Sequence, residues 1–468
     1  MISVDLRKEA CELMAKDSMT RRDFMRVGAG AAAVGSAAKV TLLDSARAMA
    51  SPRPVPPSDR LRFASIGTGV RGCEDLSTAL RAPGVEMVAV SDLYDGRLIA
   101  AQEHANKKLD TTKDYRRILD RKDIDFVIVA TMDHWHAKIV EDACAAGKDV
   151  YCEKPMTHKV PEGFRIIDAA QKYNRMIQVG SQRRSNVVFH KAREIVQSGA
   201  LGQITAVEGW IDRNDPSGAW VYPIPPDANE QTIDWERFLG DAPKITFNPK
   251  RFFRWRGYSD YGEGLPGDLY VHILTGIYTV MGFEAPPEKA VAGGGLYHYK
   301  DGRDEPDLIW TLYTFPGVTV SIRCNLNNDS QGGGTRVYGT KGTLVFNNEE
   351  SVTLIPEDTR PQPERYSVDG WPRKLREEYW AKWKQEHPAP PLSSLTAVEQ
   401  SQAFRVPDDY DEDLVHMENF LNAVRTRTPC DEGPVFGNWT AIACHMANHS
   451  YFNKAEAVWD EQAKTIRT

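Results

Sequence analysis

The sequence predicts an α/β chain in two parts: a doubly wound parallel sheet, then an α+β domain with a mostly antiparallel open sheet. Three observations carry this. From residue 61 to residue 179, short apolar strands alternate with helices of ten or so residues, the rhythm of parallel βαβ units. The first strand, Leu61–Ile66, runs straight into the glycine-rich Gly67-Thr-Gly69-Val-Arg-Gly72. After Gly202 the apolar period switches to two, broken by turns such as Phe315-Pro-Gly317, which reads as antiparallel hairpins.

In chain order, residues 1–50 are a different material. Thr20-Arg-Arg-Asp-Phe-Met-Arg26 is followed by the Ala/Gly stretch Val27–Ala38 and by Ala46-Arg-Ala48 and Ala48-Met-Ala50, either of which is a small-residue cleavage site. This is the layout of a twin-arginine export signal. Its apolar part is too short and too glycine-rich to remain as a membrane anchor. The expectation is an exported, periplasmic protein without stable membrane insertion. Residues 51–60 (SPRPVPPSDR) form a proline-rich linker.

Residues 61–185 form the predicted parallel-sheet domain, with strands at Leu61–Ile66, Val85–Val90, Asp125–Ala130, Val150–Cys152 and Met176–Val179. Helices are expected at 74–81, Arg97–Leu109, Lys113–Leu119, His136–Ala146 and Glu162–Tyr173. Residues 186–452 form the second domain, with strands Ile204–Ile211, Leu308–Phe315, Val318–Asn325, Arg336–Gly339 and Gly342–Phe346 and closing helices Asp411–Arg427 and Asn438–Phe452. Residues 355–405, rich in proline, tryptophan and charge, read as an inserted arm with one helix near Arg373–Gln385, and 453–468 as a tail. The net charge of −7, with no basic block, argues against nucleic acid as a partner. The seven cysteines show no zinc spacing, and several sit in apolar stretches that suit buried thiols.

The glycine loop carries the chemistry. G-x-G-x-x-G after a strand and before a helix, with Asp92 at the end of the next strand, is the dinucleotide fingerprint. Gly67, Thr68, Gly69, Arg71 and Gly72 would surround a pyrophosphate at the helix N-terminus, and Asp92 would take ribose hydroxyls. NAD is preferred, because Asp92 would repel a 2′-phosphate; Arg71 and Arg97 soften that preference and keep NADP open.

At the edge where ligands bind such a sheet, Thr131, Asp133, Trp135 and His136 would meet ribose and nicotinamide. His134 and His136 have no third ligand nearby, so no metal is expected. Glu153-Lys154-Pro155 follows the fourth strand, and a lysine there can hydrogen-bond a reacting hydroxyl. Asp268 and His272 are spaced i, i+4, so on a helix the carboxylate would orient the imidazole as a general base. An aromatic and arginine group suits a sugar: Arg183, Arg184, Trp210, Trp220, Tyr222, Arg251, Arg254, Trp255, Arg256, Tyr258 and Tyr261.

These stretches, in this order, resemble the glucose–fructose oxidoreductase/inositol dehydrogenase (Gfo/Idh/MocA) superfamily over nearly all of residues 61–452 apart from the arm. Exported members look especially similar, through Asp133-His-Trp-His136 and Cys444-His-Met-Ala-Asn448. Met132 stands where a proline is usual, and Gly262–Gly267 replaces a run of small residues. The resemblance implies a Lys154/Asp268/His272 catalytic group, a C-terminal sheet that mediates homo-oligomers, and a sugar, glycoside or polyol as substrate. Arg183, Trp210, Arg254, Trp255 and Tyr270 are the substrate-side candidates. The expected reaction is hydride transfer with a tightly held cofactor, reoxidised by a second substrate or electron acceptor. The alternative is NAD-dependent glycoside cleavage through transient oxidation, elimination, hydration and re-reduction, since Tyr270 beside His272 resembles that subgroup. A non-catalytic sugar-binding protein is the third reading, and the joint presence of Lys154, Asp268 and His272 argues against it.

Overall fold

The computed structural model describes residues 39–43, 59–358, 361, 363–388 and 401–468. The expected export signal lies outside these residues, apart from Lys39–Leu42, which form a strand. The linker lies outside them up to residue 58. The chain divides into two compact units, Met1–Val40 with Pro361–Gln402, and Thr41–Arg360 with Ala403–Thr468. In the first, the arm helix forms at Arg373–Glu386 and buries none of its residues. It carries i, i+4 ion pairs Arg373–Glu377 (2.8 Å) and Lys382–Glu386 (3.8 Å), as a solvated helix does.

The second unit holds both sheets. The first has six parallel strands: β1 (Leu61–Ile66), β2 (Val85–Ser91), β3 (Asp110–Thr112), β4 (Phe126–Val129), β5 (Asp149–Glu153) and β6 (Ile177–Gly180). Their order is β3-β2-β1-β4-β5-β6. Five were expected. The sixth, β3, is a polar Asp-Thr-Thr edge strand with no apolar run to announce it. Helices α1 (Val70–Arg81), α2 (Asp95–His104), α3 (Asp133–Ala145) and α4 (Val160–Tyr173) fill the crossovers. The strand order reverses beside β1, which opens a crevice at the C-terminal ends of β1 and β4.

Beyond α5 (Val187–Gln197), nine strands of the second sheet are β7 (Ile204–Asp212), β8 (Lys289–Gly295), β9 (Leu308–Phe315), β10 (Val318–Asn325), β11 (Gly333–Gly339), β12 (Gly342–Asn347), β13 (Ser351–Pro356), β14 (Ala457–Asp460) and β15 (Thr465–Arg467). They lie in the order β13-β12-β11-β7-β10-β9-β8-β14-β15. All these neighbours are antiparallel except β7 and β10. The expected tail thus supplies two strands. Helix α6 (Val271–Met281) presses Ile273, Leu274, Ile277 and Tyr278 into the core that Ile309, Tyr313, Val320 and Ile322 complete from the sheet. The alternation along β9 leaves Trp310 and Leu312 about half exposed on the other face (51% and 50%).

The core of the first sheet also draws on residues beyond 185. Helix α7 (Glu412–Thr426) packs into the first sheet's core, and α8 (Pro434–Asn453) follows it. Phe420 of α7 stands edge-on to Phe126 (5.3 Å) and Tyr151 (5.8 Å). Among the described residues the cysteines are free, and all but the half-buried Cys430 are buried. No helix among them is long and apolar enough to cross a membrane.

Candidate active site

A cavity of 440 Å³ opens at the C-terminal edge of the first sheet and is closed on the far side by residues between β7 and α6. At one end lies the glycine loop. Gly67 has φ +86°, and a Cβ there would stand 2.5 Å from the Ala130 carbonyl oxygen. A Cβ on Gly72 would stand 2.2 Å from Gly67 O, so helix and strand close up only without side chains. The first turn of α1 has no acidic residue and no side-chain cap, which leaves its N–H groups to an anion. Asp92 is held at the cavity edge by the N–H groups of Thr68 (2.8 Å) and Tyr94 (3.0 Å). Arg97 lies 3.8 Å from it and stacks over Phe252 and Phe253. These residues fit a dinucleotide: donors for its phosphates and a carboxylate for its ribose.

Arg71 is less available than expected. Its guanidinium meets Glu153 (3.0 Å), Glu74 (3.3 Å), Asp75 (2.9 Å) and Asp413 of α7 (3.0 Å). Glu153 spends its carboxylate on Arg71 and on the Lys154 N–H (3.2 Å). Thr131 and Trp135 line the cavity, and the Trp135 indole donates to Phe238 O (3.1 Å). Asp133 and His136 are buried in support of it. Asp133 accepts the Glu263 N–H (3.1 Å), and burial pushes its pKa well up. His136 faces the carbonyls of Pro155 (2.8 Å) and Thr131 (3.3 Å), and His134 that of Phe238 (3.0 Å).

At the other end the Lys154 ammonium donates to Asp268 Oδ1 (3.0 Å) and to the Asp268 carbonyl (2.8 Å); the Lys154–Pro155 bond is cis. Arg256 Nε donates to the same Oδ1 (2.8 Å), and the Trp220 indole to Oδ2 (3.0 Å). Burial pushes the Asp268 pKa up, but Lys154 and Arg256 outweigh it and hold the carboxyl far below the usual carboxylate range. The expected Asp268–His272 hydrogen bond is not made. Pro266–Tyr270 winds as a π-turn before α6 begins at Val271, which breaks the assumed register, and both carboxylate oxygens are already occupied. His272 lines the cavity beside Lys154, and its pKa is pushed well down by burial and by the Lys154 charge.

Of the substrate-side candidates, only Trp255 lines the cavity, with the Arg256 guanidinium 4.3 Å over its ring. Arg183 is ion-paired with Glu349 (2.6 Å) away from it. Trp210 lies on the outward face of β7 beneath Arg336. Arg254 donates to Tyr222 O (2.8 Å) behind the wall. Tyr270 is a core residue whose hydroxyl donates toward Ile309 O and Ile322 O (2.8 and 2.9 Å). Trp220, Tyr222 and Arg256, from the same aromatic and arginine group, take the vacated places. Arg213, which belonged to no motif, joins them; its one sequence signal is a cation directly after a strand and before the Trp220 loop.

Residues 61–181 match the family described as oxidoreductase family, NAD-binding Rossmann fold (GFO_IDH_MocA). Inositol 2-dehydrogenase of Salmonella typhimurium is 34% identical over 151 residues, 32% of this chain and 45% of that protein. A glycosyl hydrolase family 109 protein of Shewanella baltica is 29% identical over 206 residues, 39% of this chain and 44% of that one. The chain thus spans less than half the length of these two relatives. A solved levoglucosan dehydrogenase in complex with NADH and L-sorbose shares the fold with a TM-score of 0.60 at 18% identity, covering 86% of this chain and 100% of that one.

Proposed function

We propose that the protein oxidises a hydroxyl of a sugar, glycoside or polyol, starting from the match of residues 61–181 to the NAD-binding Rossmann domain of the Gfo/Idh/MocA oxidoreductase family. The observation that carries this reading is the Lys154 ammonium, held on Asp268 beside His272 in the cavity that the glycine loop opens. Bound NAD supplies the hydride acceptor. The loop and the start of α1 hold its phosphates, and Asp92 its ribose. His272, neutral because burial and Lys154 depress its pKa, takes the hydroxyl proton. The Lys154 ammonium stabilises the oxygen as charge develops there. Asp268 positions that ammonium rather than the imidazole, a division of labour different from the one its spacing suggested. Trp220 and Trp255 offer flat apolar faces to sugar C–H groups and exclude water. We further propose export by the twin-arginine route, a nucleotide held through catalysis, and association of copies through the outward face of β9.

Denaturing the purified protein and identifying released nucleotide by mass tests the cofactor. Adding myo-inositol, levoglucosan and methyl glycosides to the NAD-loaded protein and following NADH absorbance tests oxidation. A loaded protein that forms no NADH with any of them would sink it.

Likeness to the family 109 protein supports a second reading, glycoside cleavage. It needs no outside acceptor. The burial of the Tyr270 hydroxyl in the core removes the residue that most favoured it. Release of nitrophenol from nitrophenyl glycosides without added acceptor would decide for cleavage.

A further inference from the structure

The substrate end of the cavity holds a cation that neither the fold nor the reaction uses. Arg213 directly follows β7, and its N–H donates to Asn325 O (2.8 Å), so its stem leaves the sheet at a fixed point. The stem passes Gly218, where an added Cβ would lie 3.0 Å from Arg213 Cδ; the Gly218 N–H is itself fixed on Asp215 Oδ1 (2.7 Å). Arg213 then lines the cavity with Trp220, Tyr222 and His272. Arg256 lines the same cavity beside the Asp268 that it shares with Lys154.

Among the described residues, no hydrogen bond or ion pair engages the Arg213 guanidinium. Every other lysine or arginine lining the cavity has a carboxylate within 4 Å. Lys154 and Arg256 share Asp268. The rest, at the cofactor end, pair with Glu153, Asp92, Asp95 and Asp114, the last shared by Arg116 and Arg237. At the substrate end Lys154 and Arg256 share one carboxylate, and Arg213 has none within 4 Å among the described residues. A half-buried guanidinium has lost water without closing an ion pair, although the Asp215 carboxylate stands beside its stem at Gly218, and its planar fork is shaped to take an anion through two parallel hydrogen bonds.

We infer that the substrate is a carbohydrate bearing an anionic group, and that Arg213 receives that group while Lys154 and His272 meet a hydroxyl of the same molecule. This rests on the reading of the cavity as a site that oxidises sugars.

The test is calorimetric binding to the full, NADH-loaded protein. The ligands are D-glucuronate, D-galacturonate and D-mannuronate, the 6-phosphates of the parent sugars, and the neutral parents. At least one anionic series should bind about tenfold or more tighter than its parents, and Arg213→Gln should erase that gap. Arg213→Lys should restore part of it. The carboxylate and phosphate arms tell the two anions apart. Nucleotide content and circular dichroism verify that the variants fold. The inference is overturned if neutral sugars bind as tightly as both anionic series, if no anionic sugar binds, or if Arg213→Gln binds them as wild type does. Oxidation is read separately, as NADH formed by NAD-loaded protein. An anionic sugar that binds through Arg213 without forming NADH would sink the oxidation reading and leave the Arg213 assignment standing.

Discussion

The indole of Trp220 donates to Asp268 Oδ2 at 3.0 Å from a backbone held at φ +62°. A bulky side chain in the left-handed region costs on the order of 1–3 kcal/mol, and such strain persists where the surroundings over-determine it. The relationship ties the loop after β7 to the carboxylate that steadies Lys154. Trp220→Phe keeps the ring and removes the donor. A hydrogen bond to a charged group contributes about 1.5–3 kcal/mol. The expected outcome is a fall of about tenfold in kcat with bound nucleotide unchanged, read by steady-state kinetics and nucleotide release.

Lys154→Met should reduce kcat by about a hundredfold or more, the scale of a positioned proton-transfer or charge-stabilising group. It should leave nucleotide content unchanged, since the glycine loop and Asp92 hold the cofactor. A variant with wild-type kcat would remove Lys154 from the reaction.

The pH profile carries a sign. Burial and Lys154 push the His272 pKa well below its ordinary value. A base with a depressed pKa stays unprotonated to lower pH, so kcat/KM should hold level as pH falls through about 6.5 and drop only beyond it. The unfolded chain takes up that proton near its ordinary pKa, so stability should also decline as pH falls below about 6.5. In Lys154→Met the His272 titration, followed by NMR, should move up.

Gly72→Ala places a methyl 2.2 Å from Gly67 O, against backbone that cannot rotate aside. Overpacking of this kind costs about 1–3 kcal/mol. The expected result is a protein that unfolds at lower urea concentration and is purified with less nucleotide.

Arg71→Met leaves the buried Asp75 and Glu153 facing one another without their shared cation. Removing one partner of a buried ion network costs about 3–5 kcal/mol. Arg71 itself is partly exposed, so the lower figure applies. Urea unfolding should shift by that amount, and Arg71→Lys should recover only part of it because a lysine cannot reach all four carboxylates.

Most of the first sheet was legible because its strands are buried on both faces and read as apolar runs between helices. Asp110–Thr112 carried no such run, and pairing with β2 alone makes it a strand. The glycine loop, Asp92 and Lys154 were legible because backbone approach and sheet edge constrain residue type locally. The substrate wall was not. Trp210 and Trp255 are the same residue type; period two turns Trp210 outward with Glu208 on its strand, whereas Trp255 opens a short 3-10 turn at the cavity. Tyr270 lies two residues from His272, which on a helix turns it toward the opposite face. Arg183 found Glu349 across a separation in sequence that no local pattern reports.

Helix α7 lays Phe420 against Phe126 and Tyr151, and its Asp413 grips Arg71 of the glycine loop. A growing chain must therefore emerge past residue 426 before the nucleotide domain can close. Until then its aromatic face stays bare and the loop lacks one of its anchors. Maturation of the cofactor site becomes a late event, one that waits for residues more than two hundred positions after the first sheet's last strand. A fragment truncated ahead of α7 should be a client for chaperones and proteases rather than a carrier of NAD.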